Sequence, residues 1–359
     1  MRRVTVTEFT LAEPFKFVAR ERIIESIPVG FVLLKPVAAG ICGSEILYFK
    51  GEKEKEKLEK RLPMCLLHEG VARIVDVGEG VMLETGVHVV VNPMLPCSQC
   101  VSCKLGIGEN FCQNSKYMAA TADGLSRTLL LYPEDRVIPI PEGIELEVAA
   151  LTEPLSIALN SFEVAEISQN ENVAVIGDGP IGYMTALTAS HVGGIPKENL
   201  YLIGIINEKL SLAKDFSTTI NSIEEKQKLE GLRQSFDVAF EAVGGRSQEI
   251  TLDEAIDLLK PGGRCIVLGL SGKKIPVDVN RLVNKGLTLK GSVRSRTEHF
   301  IRVIELLKDT KFRDKVKRII SEKRFIIKSP EDLKAAFRYA DTEEGGAKAK
   351  PGRVLVYFP

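Results

Sequence analysis

The 359-residue chain is predicted to be α/β, with a β-rich domain of short strands followed by a doubly wound parallel sheet. Three observations predict this. The length exceeds one ordinary domain of ~150 residues. Up to about residue 150, β-branched runs are broken by Gly and Pro. From about residue 155, strand-like apolar runs alternate with helical stretches, the pattern of βαβ units.

In the first part FVLLKPVAAGI, VARIVDVGEGV, GVHVVVNP and DRVIPIPEGI are the expected strands. The charged segment GEKEKEKLEKR, residues 51–61, alternates in sign, which places unlike charges at i+3 and like charges at i+4. It is expected to be a solvated excursion between strands and an indifferent helix former. In the second part NVAVIG is a buried strand, PIGYMTALTASHVG an apolar helix and NLYLIG a second strand. LSLAKDF follows as a helix, FDVAFEAVG as a third strand, and EITLDEAIDLLKPGG as a helix ending at glycine. RCIVLGL and LTLKGSV complete five strands. A helix in EHFIRVIELLKD and a strand in GRVLVYF are expected to return to the first domain, giving limits of 1–154, 155–294 and 295–359.

Composition narrows the functional classes. Hydrophobic residues make up 44%, enough for two cores, and 48 basic residues balance 48 acidic ones. A net charge of zero provides no global field for nucleic acid or a membrane. MRRVTVTEFT shows no charged region followed by an apolar one, as a signal peptide would, and no apolar run reaches the ~20 residues of a membrane span. A soluble, cytoplasmic protein is expected. Seven cysteines are too sparse for a disulfide scaffold, and clustered thiols in a reducing compartment suit metal binding or catalysis. Cys65 and Cys265 stand apart from the clusters and are expected to be small core hydrophobes.

Gly177-Asp178-Gly179-Pro180-Ile181-Gly182 matches G-x-G-x-x-G between an expected strand and an expected helix, the context a dinucleotide pyrophosphate requires. An acid at the end of the second strand ordinarily binds the ribose 2′-hydroxyl of NAD. Here that strand ends in Gly204, so NADP(H) is favoured over NAD(H), with Lys209 and Asn207 as partners for the 2′-phosphate. Glu208 is the nearest acid, later in the turn. Cys42 in GICGSE is expected in a glycine-flanked turn, and His68-Glu69 follows before a strand. Thiolate, imidazole and carboxylate are all zinc ligands, and a catalytic zinc keeps one position open. Cys97, Cys100, Cys103 and Cys112 provide enough thiolates to close a tetrahedral shell, which has no place for substrate. A zinc-ribbon-like binding module is the non-enzymatic alternative. The balanced charge and the lack of Trp argue against it.

The GICGSE turn, the His68-Glu69-Gly70 run, the cysteine lobe, TEPLS and the glycine loop occur in the order that resembles the zinc-dependent medium-chain dehydrogenases. The resemblance implies a GroES-like catalytic domain and a Rossmann cofactor domain with the active site in the cleft between them. It also implies one catalytic and one structural zinc per chain, and a homodimer or homotetramer. Cys42 and His68 fall on the family's catalytic zinc ligands, with Glu69 as a ligand or close neighbour. Glu153 falls where polyol and sugar dehydrogenases carry a glutamate at or near the metal, and Ser44 on the proton-relay position. The four lobe cysteines fall on the structural zinc ligands. A zinc-independent reductase of the same fold would lack Cys42 and His68. Two departures stand out: Leu67 replaces the usual glycine before the histidine, and one extra residue precedes Cys112.

Within the family, KRLPMCLLHEG, IGDGPIGYMTAL, FEAVGGRSQE and PVDVNRLVNKGLTLKGSVRSR resemble the ribitol-5-phosphate dehydrogenases, also called ribulose-5-phosphate reductases. That resemblance implies NADPH and a polyol or ketose phosphate. Arg294 is then a candidate partner for the substrate phosphate, for the cofactor pyrophosphate or for an intersubunit carboxylate. The alternative is an NAD(H)-dependent zinc dehydrogenase of the sorbitol or threonine type acting on a non-phosphorylated substrate.

Overall fold

The computed structural model describes residues 3–342 and 352–359. The described residues divide into two compact units: one holds the chain up to Glu153 and from Arg296 on, the other Pro154–Ser295.

The first unit opens with a hairpin, β1 (Val4–Glu13) and β2 (Lys16–Ile24), which the sequence reading did not assign. Its signal is present in VTVTEFTL, where polar and apolar residues alternate. β3 (Phe31–Gly40) leads into α1 (Gly43–Phe49), so the segment expected to be a turn after Cys42 is helical and Cys42 is its N-cap. The charged excursion also contains a helix, α2 (Lys55–Arg61), with no buried residue. Leu58 interrupts the sign alternation and sets Lys55 against Glu59 at i,i+4, 3.8 Å apart, a favourable pair that strict alternation would not provide.

β4 (Met64–Cys65), β5 (Glu69–Val77), β6 (His88–Val91) and β7 (Met94–Leu95) follow. The cysteine lobe carries one short helix, α3 (Val101–Lys104), and the chain continues through β8 (Lys116–Tyr117), β9 (Leu130–Pro133), β10 (Val137–Pro139) and α4 (Leu146–Ala149). α5 (Thr152–Ala165) then leads to the second unit.

That unit contains β11 (Val173–Ile176), α6 (Pro180–His191), β12 (Leu200–Gly204), α7 (Asn207–Ser211) and β13 (Thr218–Asn221). It continues with α8 (Lys226–Glu230), β14 (Phe236–Glu241), α9 (Gln248–Leu258), β15 (Leu259–Val267), α10 (Val279–Lys285) and β16 (Thr288–Gly291). The strand order β13-β12-β11-β14-β15-β16 is parallel throughout, the doubly wound order of dinucleotide-binding sheets. The sheet has six strands rather than the five expected. β13, Thr-Thr-Ile-Asn at the sheet edge, is too short and polar to stand out by periodicity. Helix α7 ends at Ser211, so most of LSLAKDF lies in turns. The KPGG segment belongs to β15, because the pairing with β14 jumps from Phe236↔Leu259 to Val238↔Arg264 and the extra residues form a bulge.

The chain then adds α11 (Thr297–Leu306), α12 (Thr310–Lys317), β17 (Ile320–Ile326), α13 (Pro330–Ala340) and β18 (Arg353–Tyr357) to the first unit. β18 lies between β3 and β17 in the order β10-β6-β5-β3-β18-β17. Phe9, Phe17, Phe49 and Phe337 belong to the buried core of this unit. Ile176, Ile203, Phe236 and Leu259 belong to that of the other.

Candidate metal centre and cofactor cradle

Strand register assembles the first cluster. β3 pairs antiparallel with β5 so that Gly40 faces Glu69, and with β18 so that Gly40 also faces Leu355. A Cβ at position 40 would lie 2.7 Å from Glu69 Oε2 and 3.2 Å from Arg353 Cγ, so this site requires glycine. Two residues beyond Gly40 is Cys42, and His68 immediately precedes β5. One ligand atom each from Cys42, His68 and Glu69 lies within 4.8 Å of the others.

Glu45, fully buried in α1, organises these residues. It accepts hydrogen bonds from the N–H of Cys42 at 3.0 Å and of Leu67 at 2.8 Å, and lies 2.7 Å from His68 Nδ1. With Nδ1–H donating to Glu45, Nε2 is the ring nitrogen that a metal would take, the arrangement of a metal-ligating histidine. Burial pushes the His68 pKa down, but the Glu45 charge and the bonds to Cys42 and Glu45 hold it well above the usual imidazole range. Leu67 adopts φ +74°, a left-handed backbone that explains why glycine is usual there. Glu69 is paired with buried Arg353 at 3.0 Å, a charge–charge contact without an aligned hydrogen bond, while Arg353 also donates to the Ile41 carbonyl at 3.0 Å.

Glu153 lies outside the three-residue group. It accepts a 2.6 Å hydrogen bond from the Tyr117 hydroxyl, and burial pushes it up to about 7. The Tyr117 ring packs edge-on against His68 at 5.6 Å. Ser44, exposed at the start of α1, points its hydroxyl at Cys42 Sγ, 3.4 Å away. Lys53 lies over the Tyr48 ring at 5.3 Å; burial and Lys57 lower its pKa, while Cys42 raises it. Glu45, Tyr117, Lys53 and Arg353 were all missed by sequence reasoning. Only Glu45 had a readable signal, an acid three residues after the candidate ligand Cys42.

The second cluster lies in the loop around α3. Cys97, Cys100, Cys103 and Cys112 bring their sulfurs within 4.8 Å of one another, with Cys100 3.5 Å from Cys103 and 3.8 Å from Cys112. The Cys97 sulfur accepts from the N–H of Gln99 and Cys100, which lowers its pKa. Backbone N–H groups of Cys103 and Gln113 draw Cys100 down to about 6. Both effects favour thiolate, the metal-binding form. The long interval before Cys112 accommodates Gly106 at φ +63°, Gly108 at φ +143° and a 3₁₀ turn at Glu109–Phe111.

The second unit holds the candidate cofactor cradle. Gly177 has φ +122°, and a Cβ on Gly182 would lie 1.8 Å from the Gly177 carbonyl. Gly179, the N-cap of α6, has no atom within 4 Å of its missing Cβ, so an anion can approach its backbone. Pro180 and Ile181 form the first turn of the helix. Gly204 ends β12, but a Cβ there would come within 2.5 Å of the Asp178 side chain. The strand end without an acid in sequence therefore has one in space. Asn207 bonds to Asn221 and Glu224, and Lys209 is buried on α7, its pKa lowered by burial and raised by Asp178. Arg294 has φ +49° and its carbonyl accepts from Asn160 at 2.9 Å. Among the described residues, no helix is long and apolar enough to cross a membrane.

Residues 29–142 match the alcohol dehydrogenase GroES-like domain family, and residues 180–309 the zinc-binding dehydrogenase family. The chain is 32% identical over 279 residues to ribulose-5-phosphate reductase 1 of Staphylococcus aureus (strain NCTC 8325 / PS 47), covering 77% of this chain and 78% of the relative. It is 28% identical over 341 residues to the ribulose-5-phosphate reductase of Bacillus spizizenii (strain ATCC 23059 / NRRL B-14472 / W23), covering 93% and 95%. The crystal structure of S. aureus TarJ in complex with NADPH superposes with a TM-score of 0.79 at 28% identity, covering 99% of this chain and 100% of that one. With its GroES-like and Rossmann parts and two clusters of zinc-type donors, the chain belongs to the zinc-binding alcohol dehydrogenase family of NAD(P)-dependent oxidoreductases.

Proposed function

We propose that the chain is a zinc-dependent, NADP(H)-linked reductase of a ketose phosphate, interconverting it with the polyol phosphate in the manner of a ribulose-5-phosphate reductase. The observation that carries this reading is the group of Cys42, His68 and Glu69 with the histidine held by Glu45. Three protein donors leave a fourth position for substrate, the pattern of a catalytic zinc. When bound, zinc supplies the electrophile for the carbonyl oxygen and the reduced nicotinamide supplies the hydride.

The chain's own residues do the rest. Cys42 and His68 hold the metal, with Glu69 as a third ligand or, paired to Arg353, as its neighbour. Ser44, exposed beside the Cys42 sulfur, relays a proton between the substrate oxygen and solvent. Tyr117 and Glu153 provide a donor and an acceptor for the hydroxyls of a polyol. Lys53 is a candidate partner for the substrate phosphate, and Arg294, in the other unit, for the cofactor pyrophosphate. In the other unit Gly177, Gly179, Pro180, Ile181 and Gly182 form the pyrophosphate turn, and the segment after Gly204 with Asn207 and Lys209 receives the adenosine ribose. The four lobe cysteines close a structural zinc, making one catalytic and one structural ion per chain.

A homodimer or homotetramer is the assembly that goes with this reading. It is supported by exposed Val279, Val283, Leu289 and Val293 around β16, the end strand of its sheet. A second reading, an NAD(H)-linked dehydrogenase of a non-phosphorylated polyol, is supported by Glu153.

The deciding experiment is NADPH oxidation against D-ribulose 5-phosphate, other ketose phosphates and the free ketoses, with Cys42→Ala and chelator controls. Turnover confined to ketose phosphates and lost in Cys42→Ala supports the proposal. Preference for free ketoses selects the second reading, and full turnover by Cys42→Ala overturns the metal site.

A further inference from the structure

Asp178 supplies from the glycine loop the acid that the end of β12 lacks. Its Oδ2 accepts the N–H of Ile205 at 2.7 Å and of Ile206 at 2.8 Å, the two residues that follow the strand. The same side chain lies within 2.5 Å of where a Cβ on Gly204 would stand, so Asp178 in this position requires glycine at 204. Consecutive N–H groups after a strand are donors that a bound anion can use, and here a carboxylate already takes both. Lys209, on the helix that follows, is buried, which lowers its pKa, while the charge of Asp178 raises it. In parallel sheets of this order, a carboxylate at the end of the second strand bonds to the ribose 2′-hydroxyl, and a 2′-phosphate placed beside it is repelled.

We propose that Asp178 is the coenzyme-discriminating residue of this chain: it accepts the ribose hydroxyl of NADH and opposes the 2′-phosphate of NADPH, narrowing any advantage of NADPH. The inference rests on the reading that the Pro154–Ser295 unit binds a nicotinamide dinucleotide. It adds to the argument from Gly204: that glycine carries no carboxylate of its own, and the side chain of Asp178 stands beside it.

The test is titration of the full chain with NADPH and with NADH, following nucleotide fluorescence, for wild type and Asp178→Asn. Asparagine keeps an oxygen for both N–H groups and removes the charge. The expected result is an NADPH Kd lowered roughly tenfold, the scale of one charge facing a phosphate in a partly exposed site, with NADH binding unchanged or weaker. Asp178→Ser replaces the asparagine variant if the latter loses the wild-type melting temperature. An unchanged ratio of the two Kd values in the folded variant overturns the proposal. Failure of wild type to bind either dinucleotide overturns the functional reading instead.

Discussion

Glu45 Oε1 lies 2.7 Å from His68 Nδ1, and the same buried carboxylate takes the backbone N–H of Cys42 and Leu67. One side chain therefore fixes the ring of one candidate ligand and the backbone of another. Glu45→Gln keeps the volume but replaces an acceptor oxygen with an NH₂ that faces another donor. Loss of such an orienting partner typically weakens metal affinity by about 10–100-fold. Zinc titration against a chromophoric chelator should show one of two ions released at much lower chelator concentration. Unchanged release would mean that Glu45 is only a helix-capping residue.

Leu67 is fully buried and adopts a left-handed backbone, so two effects oppose each other at one position. Truncating a buried leucine to alanine costs about 2–5 kcal/mol. A non-glycine residue held left-handed costs roughly 1–2 kcal/mol, which only glycine recovers. Packing wins over strain, so both Leu67→Ala and Leu67→Gly are expected to be destabilising. Their order should be reversed from an ordinary site, with the glycine variant at least as stable as the alanine one. Urea unfolding of the two variants measures this, and a glycine variant weaker by 1 kcal/mol or more, the ordinary glycine penalty, would refute the argument from φ.

The doubly wound order was legible because strongly apolar strands alternate with helical stretches, as in β11 and α6. The β13 strand and the β15 bulge were not, because pairing rather than local pattern defines them. At the metal centre, Cys42 and His68 were legible as chemically distinctive residues in glycine-flanked runs. Arg353 was not: it contacts the carbonyl of Ile41 across 312 positions of sequence, and only the β3–β18 register brings them together. Tyr117 lies on the two-residue strand β8, too short to show a pattern, and Asp178 occupies a variable position of the glycine motif. Nothing local marks either residue before the chain folds.

The cysteine lobe is expected to matter for stability rather than for turnover. Its four sulfurs converge on each other, and Cys97 and Cys112 already accept backbone N–H groups. Cys112→Ser should therefore lower the melting temperature by several degrees and leave kcat of the surviving folded enzyme within about twofold, as expected of a closed structural site. Zinc analysis of the variant should find fewer ions per chain. A drop in kcat of tenfold or more with an unchanged melting temperature would place chemistry in this lobe.

Arg264 provides a pH-dependent clamp within the cofactor unit. Its guanidinium forks onto Glu171 at 2.8 and 2.7 Å and donates to the carbonyls of Ala165 and Glu166, tying β15 to the end of α5. The Arg264 hydrogen bond holds Glu171 below its ordinary value of 4.5 despite burial. Arg264→Met orphans these acceptors and should cost about 1.5–3 kcal/mol at neutral pH, the scale of charged hydrogen bonds. Because the folded pKa is depressed, the ionic part of this stability is fully present above the unfolded value near 4.5 and is lost as pH falls through the folded one. The stability difference between wild type and Arg264→Met should therefore be flat from about pH 6 to 8 and shrink below about pH 4.5. Urea unfolding across that range decides the matter. A gap that stays constant into acid would assign the effect to the two carbonyl bonds alone, because those bonds do not titrate with the carboxylate.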